Sequence, residues 1–265
     1  MSTSTVAETA IAALRAEHLV KQFGGLVAVD DVSLEVPERA IVSIIGPNGA
    51  GKTTVFNMLT GLYKPTAGRI LLGQRDVTRA RPDVITSKGM ARTFQNIRLF
   101  GAMTALENVM VGRHSRMKAG LIGSILRPPR VRREERAVRD RGRELLSYVG
   151  LREELHDQIA SHIAYGDQRR VEIARALASD PKILLLDEPT AGMNPQESAG
   201  LTGFMRQLRD ELSLTIVLIE HDMKVVMDVS ERVTVLDHGV KIAEGPPDEV
   251  RSDARVIEAY LGAPQ

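Results

Sequence analysis

Gly46-Pro47-Asn48-Gly49-Ala50-Gly51-Lys52-Thr53-Thr54 matches the pattern G-x-x-x-x-G-K-[ST]. Its flanks suit a strand, a loop and a helix: residues 40–45 are a short apolar run fit for a buried strand, and residues 53–62 read as a helix. Such a loop aims several backbone N–H groups at one polyanion. Glycine permits the tight path and the close approach, because a side chain would block the phosphates. The following helix adds its positive N-terminal end. Lys52 can reach β- and γ-phosphates, and the Thr53 hydroxyl suits Mg²⁺. The ligand this stretch calls for is a nucleoside triphosphate, bound by all nine residues from Gly46 to Thr54.

Working outward, residues 14–23 and 27–36 are two β-rich runs split by Gly24-Gly25, the second alternating in places at Val29, Val32, Leu34 and Val36. With residues 69–72 they predict an antiparallel layer. Residues 92–95 end an extended segment on a polar side chain, Gln95. Residues 104–112 and 134–149 read as helices, the second with Leu145, Leu146 and Val149 on one stripe. Between them lie an apolar island, 119–126, and the helix-breaking pair Pro128-Pro129. A helix follows over 168–178. Residues 183–187 are an aliphatic run ending in acid, as in a central parallel strand whose carboxylate points beyond its C-terminal edge. After a helix over 195–212, a second buried strand over 214–219 delivers Glu220, His221 and Asp222. Residues 232–236 and 240–243 close a hairpin through Asp237-His238-Gly239. Strands alternating with helices behind an antiparallel opening predict an α/β core with a helical insertion.

A chain of 265 residues can bury one large domain or a core with a subdomain. It contains no cysteine, which removes disulfides and thiolate metal sites and fits a reducing compartment. No apolar run approaches the roughly 20 residues of a membrane span. The Ser/Thr/Ala-rich start, 1–9, has neither a basic head nor an apolar signal core, so secretion is not expected. No repeat points to a solenoid or propeller. The net charge of +1 hides an asymmetry: from Arg113 to Arg143 eleven Arg or Lys face three acids. Three readings of that basic stretch stand: a solvated face, a surface for anionic lipid or an acidic membrane-protein loop, and a nucleic-acid surface. The last is least favoured, since hardly any aromatic residue is interleaved for base stacking. His18, His114, His156 and His162 show no metal-ligand spacing and are read as structural.

Triphosphate hydrolysis needs one carboxylate to hold Mg²⁺ through water and another to orient the attacking water. Asp187 and Glu188, adjacent after the aliphatic strand, supply both. Alone such a pair would be a solvated loop; beside a phosphate loop it reads as catalytic.

At this point the chain resembles the ATP-binding cassette (ABC) family, from about Leu14 to Gly262. The resemblance implies an α/β P-loop NTPase core with a mostly parallel sheet, an antiparallel β subdomain and an inserted helical subdomain. It implies a flexible N-terminus at 1–11, a first part of the ATPase core at 12–95 and a helical subdomain with the basic insertion at 96–166. The second part of the core would be 167–245 and a C-terminal helical tail 246–265. Phe23 matches the aromatic that stacks on adenine, though aromatics also pack in β layers. Gln95 matches a glutamine that touches Mg²⁺ or water and relays to the membrane subunit, the plainer reading being a surface polar residue. Asp187 matches the metal-side acid, which with Thr53 and Gln95 makes the Mg²⁺ set. Glu188 matches the catalytic base and His221 the γ-phosphate histidine, a satisfied strand-end histidine being the alternative.

The family's signature segment, usually Leu-Ser-Gly-Gly-Gln, meets the ATP held by the opposite subunit. Here it reads Ile163-Ala164-Tyr165-Gly166-Asp167-Gln168. Ala164 replaces the serine, leaving the backbone of Tyr165 and Gly166 and a helix tip as an anion site. The lost hydrogen bond is worth about 0.5–1.5 kcal/mol. Asn194 replaces a usual aspartate. These departures, the basic insertion and Glu220-His221-Asp222-Met223-Lys224 resemble the ATP-binding subunit of branched-chain amino-acid importers.

That branch implies ATP and Mg²⁺ as ligands, transmembrane permease subunits and a second ATPase chain (different or identical) as partners, a periplasmic binding protein acting indirectly, and no nucleic acid. Its location would be cytoplasmic, peripheral on the inner face of the cell membrane. Two rival functions remain: a soluble cassette ATPase acting on DNA or ribosomes, and a weakly hydrolysing, nucleotide-gated scaffold.

Overall fold

The computed structural model describes residues 12–113 and 129–261. The expectations for the segment 1–11, the island 119–126, Pro128, His114, the 114–128 part of the basic stretch and the tail end 262–265 lie outside those residues.

The antiparallel layer takes the order β2-β1-β4-β5, from β1 (Ala12–Phe23), β2 (Leu26–Pro37), β4 (Ala67–Leu72) and β5 (Arg75–Asp76). The second sheet comprises β3 (Ile41–Ile45), β6 (Met90–Arg92), β7 (Ile183–Asp187), β8 (Thr215–Ile219), β9 (Arg232–Asp237) and β10 (Val240–Gly245), in the order β10-β9-β3-β8-β7-β6. Its neighbours are parallel except β9 and β10. Those two close through His238 (φ 44°) and Gly239 (φ 83°), both left-handed, as a two-residue hairpin loop requires.

The aliphatic runs have no polar face because both faces of the parallel sheet are covered. Side chains alternate across a strand. Val42, Ile44, Leu185, Val217 and Ile219 therefore face α1 (Lys52–Leu59) and the antiparallel layer. Ile41, Leu184, Leu186, Ile216 and Leu218 face the other way. There they meet helices α3 (Ala105–Arg113), α4 (Pro129–Tyr148), α5 (Tyr165–Leu177), α6 (Pro195–Leu212) and α7 (Met223–Val229), while α2 (Pro82–Ser87) lies on the α1 side. Each aliphatic side chain buried this way contributes about 1.5–3 kcal/mol. A smaller cluster, including Val226, Val233, Val250 and Val256, seats the C-terminal helices α8 (Pro247–Ser252) and α9 (Ala254–Leu261). The expected stripe on α4 is buried: Leu145, Leu146 and Val149 all join the helix-side core.

Three helix bounds differ from the sequence reading by more than one residue. α1 ends at Leu59 rather than residue 62, because Gly61 turns left-handed (φ 73°) where a Cβ would meet Ala80 O at 2.7 Å. α4 starts at Pro129, not 134: a proline in the first turn gives up only an N–H that had no helical partner. α5 starts at Tyr165, not 168, so the signature-like segment forms its first turn.

Candidate active site

Because β3, β6, β7 and β8 run parallel, their C-terminal ends share one edge. β3 feeds the phosphate loop, β6 leads to Gln95, β7 to Glu188 and β8 to Glu220 and His221. Four segments far apart in sequence thus converge at one rim.

Within the loop the glycines serve separate needs. A Cβ on Gly46 would lie 2.0 Å from Leu236 O, and one on Gly51 2.7 Å from Ala28 O. Those two are demanded by the protein's own backbone. All three take the positive φ of the expected tight path, and at Gly49 (φ 84°) the space a Cβ would occupy is open besides. Lys52 Nζ donates to Gly46 O (2.7 Å) and Pro47 O (2.9 Å). Burial pulls its pKa down, opposed by the charges of Glu188 and Asp187. The lysine therefore lies within the field of both acids.

Glu188 occupies the turn after β7 at φ 46°, a left-handed conformation unusual outside glycine. Its N–H donates to Ile219 O at 2.8 Å, anchoring the turn to the neighbouring strand. One carboxylate oxygen accepts from Gln95 Nε2 at 2.6 Å, and the other is hydrogen-bonded to His221 Nε2 at 2.8 Å. Gln95, Glu188 and His221, expected at one site, are in contact.

Asp187 is buried and paired with Arg92 at 2.7 Å. Arg92 also donates to Asn57 Oδ1 (2.7 Å) on α1 and lies over the rings of Phe56 and Phe94. The Thr53 hydroxyl, on the same helix, is exposed. Among the described residues no cluster of three His, Asp or Glu side chains stands ready for a metal. The expected donors, Thr53, Gln95 and Asp187, are oxygen ligands that fit a Mg²⁺ completing its shell with water and phosphate.

Phe23 ends β1 half exposed, edge-on to Tyr63 (centroids 5.2 Å apart) and under Lys21 Nζ, rather than sealed in the β layer. Pro47, Asn48, Gly49 and Ala50 of the phosphate loop line one pocket, and Ala164, Gly166 and Asp167 line another. Ala164 caps α5 without any side-chain hydrogen bond, and Tyr165, Gly166 and Asp167 form the first turn. Asn194, Gly166 and Asp167 line one open pocket with Arg170. Asn194 has a local task besides: its Oδ1 accepts from Gln196 and Glu197 N–H groups while Glu197 returns the bond, a capping box for α6. Of the histidines read as structural, His156 is buried against Leu151 O and His18 pairs with Asp31.

Sequence reasoning missed four groups. Arg92 ends the short strand β6 after Met90 and Ala91, and its charge there was the signal it left. Arg169 and Glu172, three apart on α5, sit among buried residues, a hint that their face is not solvated. Glu220, delivered by β8 without a role, is buried: it accepts from Thr190 N–H (3.0 Å) and hydroxyl on one oxygen and from His221 N–H (2.8 Å) on the other. It joins the turn of Glu188 to that of His221.

Fold and site together define a P-loop nucleoside triphosphatase of the cassette type. The model of the family "ABC transporter" matches residues 29–191, and that of "Branched-chain amino acid ATP-binding cassette transporter" matches residues 240–264. The chain is 50% identical over 249 residues to the high-affinity branched-chain amino acid transport ATP-binding protein LivG of Salmonella typhimurium, covering 94% of this chain and 97% of that one. A crystal structure of a nucleotide-free ATP-binding cassette from an ABC transporter superposes with a TM-score of 0.82 at 32% identity, covering 95% of this chain and 100% of the other. The dimeric post-hydrolysis state of the ATP-binding cassette MJ0796 bound to ADP and Pi gives 0.75 at 28% identity over 88% and 98%. The chain belongs to the ABC transporter family, as an ATP-binding and ATP-hydrolysing subunit.

Proposed function

We propose that this chain powers an importer of branched-chain amino acids, by closing with a second cassette on ATP and parting from it after hydrolysis. The observation that carries the mechanism is Glu188 held between Gln95 and His221 beside the phosphate loop. The loop N–H groups and Lys52 hold the triphosphate, and Phe23 takes the adenine. Glu188 accepts the proton of the attacking water, Gln95 and His221 fix its carboxylate, and His221 contacts the γ-phosphate. Mg²⁺ held by Thr53, Gln95 and, through water, Asp187 would neutralise charge on the β- and γ-phosphates. Closure works as a machine because ATP favours the joined pair over the open one.

The substrate reading rests on the LivG likeness along nearly the whole chain and on the match of residues 240–264. The second cassette, whether another ATPase chain or a second copy, would receive Ala164, Tyr165, Gly166, Asp167 and Gln168 at its own nucleotide. Permease subunits would dock near residues 95–100, holding the chain peripherally at the inner face of the membrane, with a binding protein contributing only through them. No described helix is long and apolar enough to cross the bilayer. The core would comprise 12–95 and 167–245, the helical subdomain 96–166 and the tail 246–265.

Glu188→Gln should lower turnover by about 10²–10⁴-fold, the usual worth of a general base, with ATP binding retained. In light scattering the ATP-loaded variant, mixed with its partner cassette, should run as the joined pair rather than as separate chains. A variant that still turns over at the wild-type rate would remove Glu188 from the mechanism.

A further inference from the structure

Arg169 and Glu172 pair at 2.9 Å on α5, each side chain 1% exposed. A buried ion pair adds little net stability over an apolar replacement, so the other partners of these two groups are informative. Arg169 Nη1 donates to Phe94 O at 2.7 Å. Its Nη2 donates to Gln95 O at 2.9 Å and lies 3.4 Å from the Tyr165 hydroxyl. Glu172 accepts from the N–H groups of Phe94 (3.3 Å) and Arg98 (3.4 Å). Arg175, one turn on, donates to Arg98 O.

Residues 93–100 have no helix or strand of their own. A segment without a ladder must find other partners for its backbone, and here α5 supplies them at Phe94, Gln95 and Arg98. The side chain of Gln95 then holds Glu188 at 2.6 Å. The contacts run without a gap from Tyr165 through Arg169 and Gln95 to Glu188.

We propose that Arg169, braced by Glu172, is a positioning residue for hydrolysis. It fixes the backbone of segment 94–98 so that Gln95 presents Glu188, and it links the first turn of α5 to that carboxylate. The proposal rests on Glu188 as the base and on that first turn meeting a second protomer's nucleotide. Under it, a shift of α5 at the far nucleotide is felt by the protomer's own carboxylate, and a protomer hydrolyses in response to what its α5 tip holds.

The test is a double-mutant cycle in the full-length chain. Arg169→Lys keeps a cation for Glu172 but cannot serve Phe94 O, Gln95 O and Tyr165 together. It should lower kcat by about 10–10²-fold, up to the loss that a 1 Å misplacement of a catalytic group can cause, leaving KM for ATP within about twofold. Gln95→Ala should lower kcat similarly. Combined with Gln95→Ala, Arg169→Lys should cost no more than about a further twofold, the limit expected when one change has already removed the route of the other. Losses that multiply would overturn the proposal, as would a changed KM with kcat intact. If Arg169→Lys does not fold, judged by its melting curve, Glu172→Gln takes its place in the cycle. Glu188→Gln run alongside separates the two ideas. Turnover surviving that change defeats the base assignment, whereas turnover lost with multiplying losses in the cycle defeats the relay alone.

Discussion

Glu188 sits at φ 46°, in backbone that a side chain adopts at a cost of about 1–3 kcal/mol. The strain is held in place by the bond to Ile219 O and by Glu220, whose carboxylate joins the turns on either side. The phosphate-loop glycines carry a parallel lesson. The motif requires glycine at both ends, but the collisions that enforce it are with Leu236 O and Ala28 O, carbonyls supplied by distant parts of the fold. Gly46→Ala is therefore expected to destabilise by about 3 kcal/mol or more, since backbone must move. Gly49→Ala, with open space, should cost only the left-handed penalty of about 1–2 kcal/mol. Thermal unfolding of the two variants gives the ranking directly, and equal losses would refute it.

At the scale of elements, β3, β7 and β8 were legible because they are buried along their whole length and their composition is almost wholly aliphatic. Helix starts were less so. α5 begins three residues before its apolar pattern does, because Ala164, Tyr165 and Gly166 are poor local signals; the first turn is closed locally, by Gln168 N–H donating to Ala164 O at 2.9 Å. Asn194, which the sequence shows only as the replacement of a usual aspartate, has a local role in the structure. The spacing Asn194-Pro195-Gln196-Glu197 is a capping box with proline in the first turn, and both halves of the box form. Asn194→Ala should lower stability by about 0.5–2 kcal/mol, seen as a lower melting temperature without ATP. Asn194→Asp should keep the cap and the melting temperature. Loss of stability in both would mean the asparagine acts through something other than its oxygen.

At the scale of the whole molecule, α4 is tied to α6 by Tyr148, whose hydroxyl donates to Glu211 at 2.9 Å and whose ring meets Phe204. Burial first, then the bond to Glu211 and its charge, push the Tyr148 hydroxyl from 10.0 to about 12. The fold thus favours the protonated phenol. Its contribution is complete below pH 10 and lost as pH rises through about 12. Melting curves of the wild type and Tyr148→Phe should differ by a constant amount at neutral pH and converge across that window. A gap that persists unchanged would rule out titration at this contact. By itself the sequence determined the phosphate loop, the buried strands, the adjacent acids and hence the class of chemistry, because each is a local pattern in which residue type and spacing suffice. Only the tertiary structure decided what holds those groups in place. Arg92 reaches Asp187 across 95 positions, Arg169 reaches Gln95 across 74, and Glu220 reaches Thr190 across 30. Periodicity reports which face of an element is buried; it carries no information about which buried charge on another element will meet it there, and that pairing is settled when the parallel sheet brings its strand ends to one edge.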